Sequence, residues 1–118
     1  AVNALTLIDL DRRALDVARH NIDDARASFL QHDLRRPPEA IIDLDFAVMN
    51  PPFHDGGAED RDLGRAFVAT AAAMLRRGGV LRMTANVALP YEAALGAHFT
   101  TVTRLAREGG YKVLEARR

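Results

Sequence analysis

Asn50-Pro51-Pro52-Phe53 is the segment of this chain whose residue types and order can do chemistry, and it directly follows the apolar run Phe46-Ala47-Val48-Met49. Two consecutive prolines fix φ and remove two backbone donors. The residue before each proline is pushed out of the helical region. A strand therefore ends here in a stiff turn, where the Asn50 amide and the neighbouring backbone carbonyls have few internal partners. Such acceptors can take the protons of a planar amino group while the Phe53 ring stacks on its face. That arrangement suits transfer of a group to an exocyclic nitrogen. Asn-Pro alone is a common turn initiator. The preceding strand, the second proline and the ring give this one its chemical reading.

The elements that must position those residues alternate along the chain. Ala4 to Ile8 reads as a buried strand ending at Asp9. Asp11 can cap a helix from about Arg12 to Ile22, with Leu15, Ala18 and Ile22 on one face. Ala27 to Gln31 reads as a second strand ending near Asp33. Pro37-Pro38 breaks the chain, and Phe46 to Met49 is the strand before the platform. His54 to Asp62 is rich in glycine and acid and reads as a loop. A helix is expected over Asp62 to Arg76, with Leu63, Phe67, Ala71, Met74 and Leu75 as its apolar stripe and Gly78-Gly79 closing it. Val80 to Ala85 reads as a strand and Tyr91 to His98 as a short helix. Thr100 to Ala106 and Tyr111 to Ala116 alternate like a hairpin joined across Glu108-Gly109-Gly110. The sum is an α/β fold, an open and mostly parallel sheet with one antiparallel strand.

Bulk properties exclude little. Lys and Arg number 16, Asp and Glu 16, and cysteine is absent. No apolar run reaches membrane-spanning length, and the expectation is a cytoplasmic protein with no membrane partner. A nucleic-acid enzyme usually shows a basic surface. Here the bulk charge shows none, and Arg12-Arg13, Arg35-Arg36, Arg76-Arg77 and Arg117-Arg118 are local basic pairs that also suit a solvated surface or helix ends.

The motifs together resemble the class I methyltransferases that use S-adenosylmethionine, in particular the small-domain ribosomal RNA guanine-N2 methyltransferases. The resemblance rests on Asn50-Pro51-Pro52-Phe53-His54-Asp55-Gly56, on Gly78-Gly79-Val80-Leu81-Arg82-Met83, on Ala85-Asn86-Val87-Ala88-Leu89-Pro90-Tyr91 and on Gly110-Tyr111-Lys112-Val113. It implies a Rossmann-like sheet, S-adenosylmethionine as cofactor, and ribosomal RNA or a ribosomal subunit as partner. It also implies direct displacement of a methyl group onto nitrogen, in which neither a metal nor a nucleophilic side chain takes part. Asn50, Pro51 and Phe53 become the catalytic set, with the Asn50 side-chain oxygen and the Pro51 carbonyl accepting the amino protons. A base in folded RNA must be flipped out to reach such a pocket.

Asp9, Asp33 and Asn50 become the cofactor contacts, because ligands of such sheets lie beyond the carboxyl ends of the strands. Asp9 would accept both ribose hydroxyls, and Asp33 or its backbone would meet the adenine amino group. The plainer alternatives are a turn or capping role for Asp9 beside Asp11, and simple solvation for Asp33. Pro52, Phe53, His54, Asn86 and Tyr91 form the expected substrate pocket. His54 has two readings, a loop hydrogen-bonding residue or a direct participant, and Asn86, Pro90 and Tyr91 are expected to shape the wall.

One departure from the family pattern stands out. Class I methyltransferases begin with a strand and a glycine-rich turn, which needs glycine because a Cβ would block close approach to the cofactor. Gly56-Gly57 and Gly109-Gly110 come too late to supply it. The expectation is a partial methyltransferase domain over residues 1–118, the C-terminal part of a catalytic domain, lacking the first strand and the N-terminal segment of its parent. Two strands would then each be left with an unpaired edge. The rival functions are an inactive or non-catalytic RNA- or base-binding remnant, and the same chemistry on adenine N6 or a protein glutamine.

Overall fold

A computed structural model describes the backbone of residues 2–51 and 58–118 and the side chains of residues 2–51 and 61–118. Pro52, Phe53 and His54, with Asp55 and Gly56, lie outside the described residues. The chain divides into two compact units, one ending at Leu34 and the other beginning at Arg35.

The first unit is a strand–helix–strand motif: β1 (Leu5–Asp9), α1 (Arg12–Asn21) and β2 (Ala27–Gln31). The strands pair in parallel from Leu5 opposite Ala27 to Asp9 opposite Gln31, and parallel neighbours need such a crossover. Asp11 caps the helix, accepting the Arg13 backbone N–H at 2.8 Å and so satisfying one of the donors a helix start leaves open. Leu15 is buried, and Ala18 and Ile22 are half-buried on the same face, as their spacing predicts. Arg19 and His20 fall in the last turn, where positive charge complements the helix dipole.

The second unit carries β3 (Leu44–Met49), α2 (Ala58–Met74), β4 (Leu75–Asn86), α3 (Tyr91–Gly96), β5 (Thr101–Glu108) and β6 (Tyr111–Arg117). Its sheet runs β3-β4-β6-β5. β3 and β4 are parallel, and β6 pairs antiparallel with both β4 and β5, so β6 is the one strand running against the rest. The core lies under one face of this sheet. Leu81, Met83 and Ala85 of β4 and Leu114 and Ala116 of β6 alternate inward to meet Val68, Ala71 and Ala72 of α2, with Tyr91, Leu95 and Phe99 beside them. Residues 109 and 110 make the hairpin turn with φ of +58° and +81°, the left-handed pair that two-residue hairpin loops favour and glycine supplies.

Several expectations are corrected. α2 begins at Ala58, inside the segment read as a loop, because acidic residues suit a helix's first turn as well as a loop. Gly78-Gly79 does not close the helix, which stops at Met74. Leu75 already pairs with Leu44, and the next rung joins Phe46 to Val80. The extra residues of β4 form a bulge in which Gly78 takes φ +80°, and a Cβ on Gly79 would stand 2.9 Å from the Arg76 carbonyl oxygen. β3 is open on one face: Phe46 and Val48 are exposed, and Arg82 lies over the Phe46 ring at 5.7 Å there. β1 is likewise only half-covered.

The expected single sheet is present as two hydrogen-bonded sheets, β1-β2 and β3-β4-β6-β5. Among the described residues β1 and β3 each have a strand neighbour on one edge only, which leaves backbone donors and acceptors there without ladder partners.

Candidate active site

β3 and β4 run side by side in parallel, with Met49 level with Met83, so Asn50 and Asn86 leave the sheet at the same end. Here Asn50, Pro51, Ala85, Asn86, Leu89, Tyr91 and Tyr111 line a cavity of about 260 Å³. Asn50 is exposed and Pro51 buried. The structure thus brings together four residues singled out in the sequence, Asn50, Pro51, Asn86 and Tyr91. Pro52, Phe53 and His54 follow directly in sequence but lie outside the described residues.

The far wall is a tight turn between β4 and α3. The Asn86 side-chain oxygen accepts the Ala88 N–H at 2.9 Å, and its backbone carbonyl accepts the Leu89 N–H at 3.1 Å. Leu89 in turn accepts the Tyr91 N–H at 2.9 Å. Tyr91 is buried, and its ring lies against Gly64 of α2, where a Cβ would meet the phenol oxygen at 2.5 Å. The glycine therefore lets helix and ring approach closely, and the tyrosine belongs to the core as much as to the wall.

Sequence reasoning missed two residues. Tyr111 starts β6 directly opposite Asn86, is 60% exposed, and puts an aromatic ring at the cavity's rim. Lys112 is only 4% exposed. Its ammonium donates to the carbonyls of Val87 at 3.3 Å and Leu89 at 2.6 Å, and pairs with Glu92. A buried charge is tolerated only when paired and hydrogen-bonded, and this one fastens the Asn86 turn from beneath. The signal was present: Lys112, Leu114 and Ala116 share one face of an alternating strand, so Lys112 had to point into the core.

The polar groups lining the cavity are amides and phenols, with no carboxylate or imidazole among the described lining residues. These groups can donate hydrogen bonds to a ligand and accept them from it. In the first unit, Asp9 is exposed at the end of β1, and one of its oxygens accepts the Asp11 N–H at 2.8 Å. The turn role weighed for Asp9 is thus real, and its other oxygen has no partner among the described residues. Asp33 sits half-buried just beyond β2. Asp11 is held below the usual carboxylate range by the Arg13 backbone N–H and guanidinium, and Asp24 by the Arg26 guanidinium and backbone N–H.

The family model described as methyltransferase small domain matches residues 1–115. The chain belongs to that family. This methyltransferase small domain is 36% identical over 117 residues to the ribosomal RNA small subunit methyltransferase C of Yersinia enterocolitica, covering 94% of the chain and 32% of that protein. It is 42% identical over 69 residues to the protein of the same name from Alteromonas mediterranea, covering 58% of the chain and 19% of the relative. Among solved structures, the T. thermophilus 16S rRNA N2 methyltransferase, in complex with AdoMet and guanosine, superposes with a TM-score of 0.73 at 31% identity. That match covers 98% of this chain and 31% of the other. The N-methyltransferase NodS of Bradyrhizobium japonicum, at 20% identity and a TM-score of 0.71, shares the fold. The methyltransferase small domain thus spans about a third or less of the length of the curated relatives it matches.

Proposed function

We propose that the protein carrying this domain transfers a methyl group from S-adenosylmethionine to guanine N2 of small-subunit ribosomal RNA. The observation that carries the reading is the cavity at the carboxyl ends of β3 and β4, where Asn50 and Pro51 stand beside a neutral, aromatic-rimmed space. The relatives named above support the substrate class.

S-adenosylmethionine supplies an electrophilic methyl group on a sulfonium. Asp9 suits its ribose: an exposed carboxylate at a strand end, with one oxygen engaged by Asp11 and the other open to a hydroxyl. Asp33 is assigned to the adenine. The domain's own residues act on the base. The Asn50 side-chain oxygen and the Pro51 carbonyl accept the two amino protons, which turns the nitrogen lone pair towards the methyl carbon and holds the reacting atoms in line. The sulfonium would supply the methyl and retain the electron pair of its broken bond, while the base nitrogen would give up its excess proton to water. Phe53 is assigned the stacking role, and Pro52 and His54 the neighbouring wall. No residue has to act as nucleophile.

Calorimetric titration of the natural protein that contains these residues tests the reading. Micromolar binding of S-adenosylhomocysteine, followed by guanosine binding to the loaded protein, is expected. A folded protein that binds neither is the non-catalytic remnant weighed from the sequence, and the proposal falls.

A further inference from the structure

We infer that Asn86 is a specificity-determining residue whose side-chain amino group donates to the ring acceptor beside the reacting amino group, N3 when the base is guanine. The inference rests on the guanine-N2 reading above and deepens it.

The orientation of the Asn86 amide follows from its partner. The atom 2.9 Å from the Ala88 backbone N–H must be the oxygen, because that N–H can only donate. That bond takes one of the oxygen's two lone pairs, whereas both donors of the Nδ2 amino group remain for a ligand. The amino group has no partner among the described residues, and Asn86 is partly exposed where it lines the cavity.

The turn that holds this amide is braced at several points. Val87 donates to the Gly110 carbonyl at 2.9 Å, Leu89 to the Asn86 carbonyl at 3.1 Å, and the Lys112 ammonium grips the Val87 and Leu89 carbonyls from the core side. Rotating the Asn86 amide to present its oxygen would strip the Ala88 N–H of its acceptor. The donor is therefore preorganised, and little ordering is required when a base arrives.

Chemistry then selects what it meets. Asn50 and Pro51 offer acceptors, which by themselves suit any amino group. In guanine the carbon bearing the amino group lies between N1, which carries a hydrogen, and N3, a lone-pair acceptor. Acceptors on β3 and a donor on β4 read that amino–acceptor edge as a pair. A site that hydrogen-bonds a substrate atom discriminates strongly against an analogue lacking it.

The test compares guanosine with 3-deazaguanosine, in which N3 is replaced by C–H, by calorimetry on the natural protein loaded with S-adenosylhomocysteine. The wild type is expected to prefer guanosine by ~10-fold or more, the size of one well-placed hydrogen bond. Asn86→Asp keeps an oxygen for the Ala88 N–H, and hence the turn, but replaces the donor with an anionic oxygen. It should weaken guanosine binding by at least ~10-fold and bring the ratio of the two nucleosides close to one, with S-adenosylhomocysteine affinity and Tm unchanged. Equal wild-type affinity for both nucleosides would overturn the inference while leaving the guanine reading intact, and needs no variant. So would an Asn86→Asp protein that keeps the wild-type preference. A wild type that binds no guanosine removes the guanine reading, and this inference with it.

Discussion

Asn50 and Asn86 line one cavity from the same end of two adjacent parallel strands, and only Asn86 has its side-chain oxygen committed to a backbone N–H among the described residues. Two identical side chains are thereby made chemically different. The one on β3 has an oxygen that no described N–H engages, and the one on β4 has its oxygen held by the turn and both amino donors uncommitted. The division follows from local sequence: Asn50 is followed by prolines that have no N–H to give, whereas Asn86 is followed by a turn whose Ala88 N–H seeks an acceptor.

Asn50→Ala is expected to abolish methyl transfer while Asp9 and Asp33, which are assigned most of the cofactor's binding, keep it in place. Loss of the acceptor leaves the amino group unoriented, at a cost of about 100-fold or more in the single-turnover rate. S-adenosylhomocysteine affinity, measured on the same preparation, should stay within about twofold. An intact transfer rate refutes the platform mechanism.

Asp9→Asn separates the two roles of that residue. The amide oxygen can still accept the Asp11 N–H, so α1 should keep its start, while the charge that would hold the ribose is lost. Cofactor affinity is expected to fall about 10- to 100-fold, the range for a hydrogen bond to a charged group. Unchanged affinity with an unchanged fold returns Asp9 to its turn.

Much of this layout was legible in the residues. The limits of β2 and the cap at Asp11 followed from short-range rules, since a helix start and a five-residue alternation are local facts. That Asn50 and Pro51 stand at the end of β3 was legible because strand and proline are consecutive in sequence. Long-range facts were not. Nothing near Gly64 announces that the Tyr91 ring, 27 positions on, needs the space of its missing Cβ. The bulge that absorbs Gly78-Gly79 depends on β3 pairing, and glycine pairs read equally well as helix stops. Lys112 was hidden by its type: a lysine is taken as exposed unless the parity of its strand is followed through.

Gly64→Ala sets two effects against each other. In an isolated helix, alanine is favoured by about 1 kcal/mol. Here the new Cβ would stand 2.5 Å from the Tyr91 phenol oxygen and 3.0 Å from ring carbons. Overpacking of this kind costs about 1–3 kcal/mol, so chemical denaturation should show net destabilisation, with Tyr91 displaced at the cavity wall. In a Tyr91→Phe background the penalty should shrink, and a double-mutant cycle reads that coupling. Strict additivity would contradict the contact.

Acid should loosen α1 at its start. Asp11 is held below its ordinary value of 3.8 by the Arg13 backbone N–H first and the Arg13 side chain second. A carboxyl lowered by folding stabilises above its unfolded value, and that contribution is lost as pH falls through the lower folded one. Amide-exchange protection at the Arg13 N–H should therefore drop below about pH 4 in the wild type. Asp11→Asn, which caps without titrating, should show no such drop. A matching fall in both proteins would assign the acid sensitivity elsewhere.

The most direct test of the central claim is the identity of the methylated nucleoside. Small-subunit ribosomal RNA is incubated with the natural protein and S-adenosylmethionine labelled in its methyl group, digested, and resolved into nucleosides. The account predicts label in N2-methylguanosine alone, and none with Asn50→Ala. Label in N6-methyladenosine, or in protein rather than RNA, would contradict it.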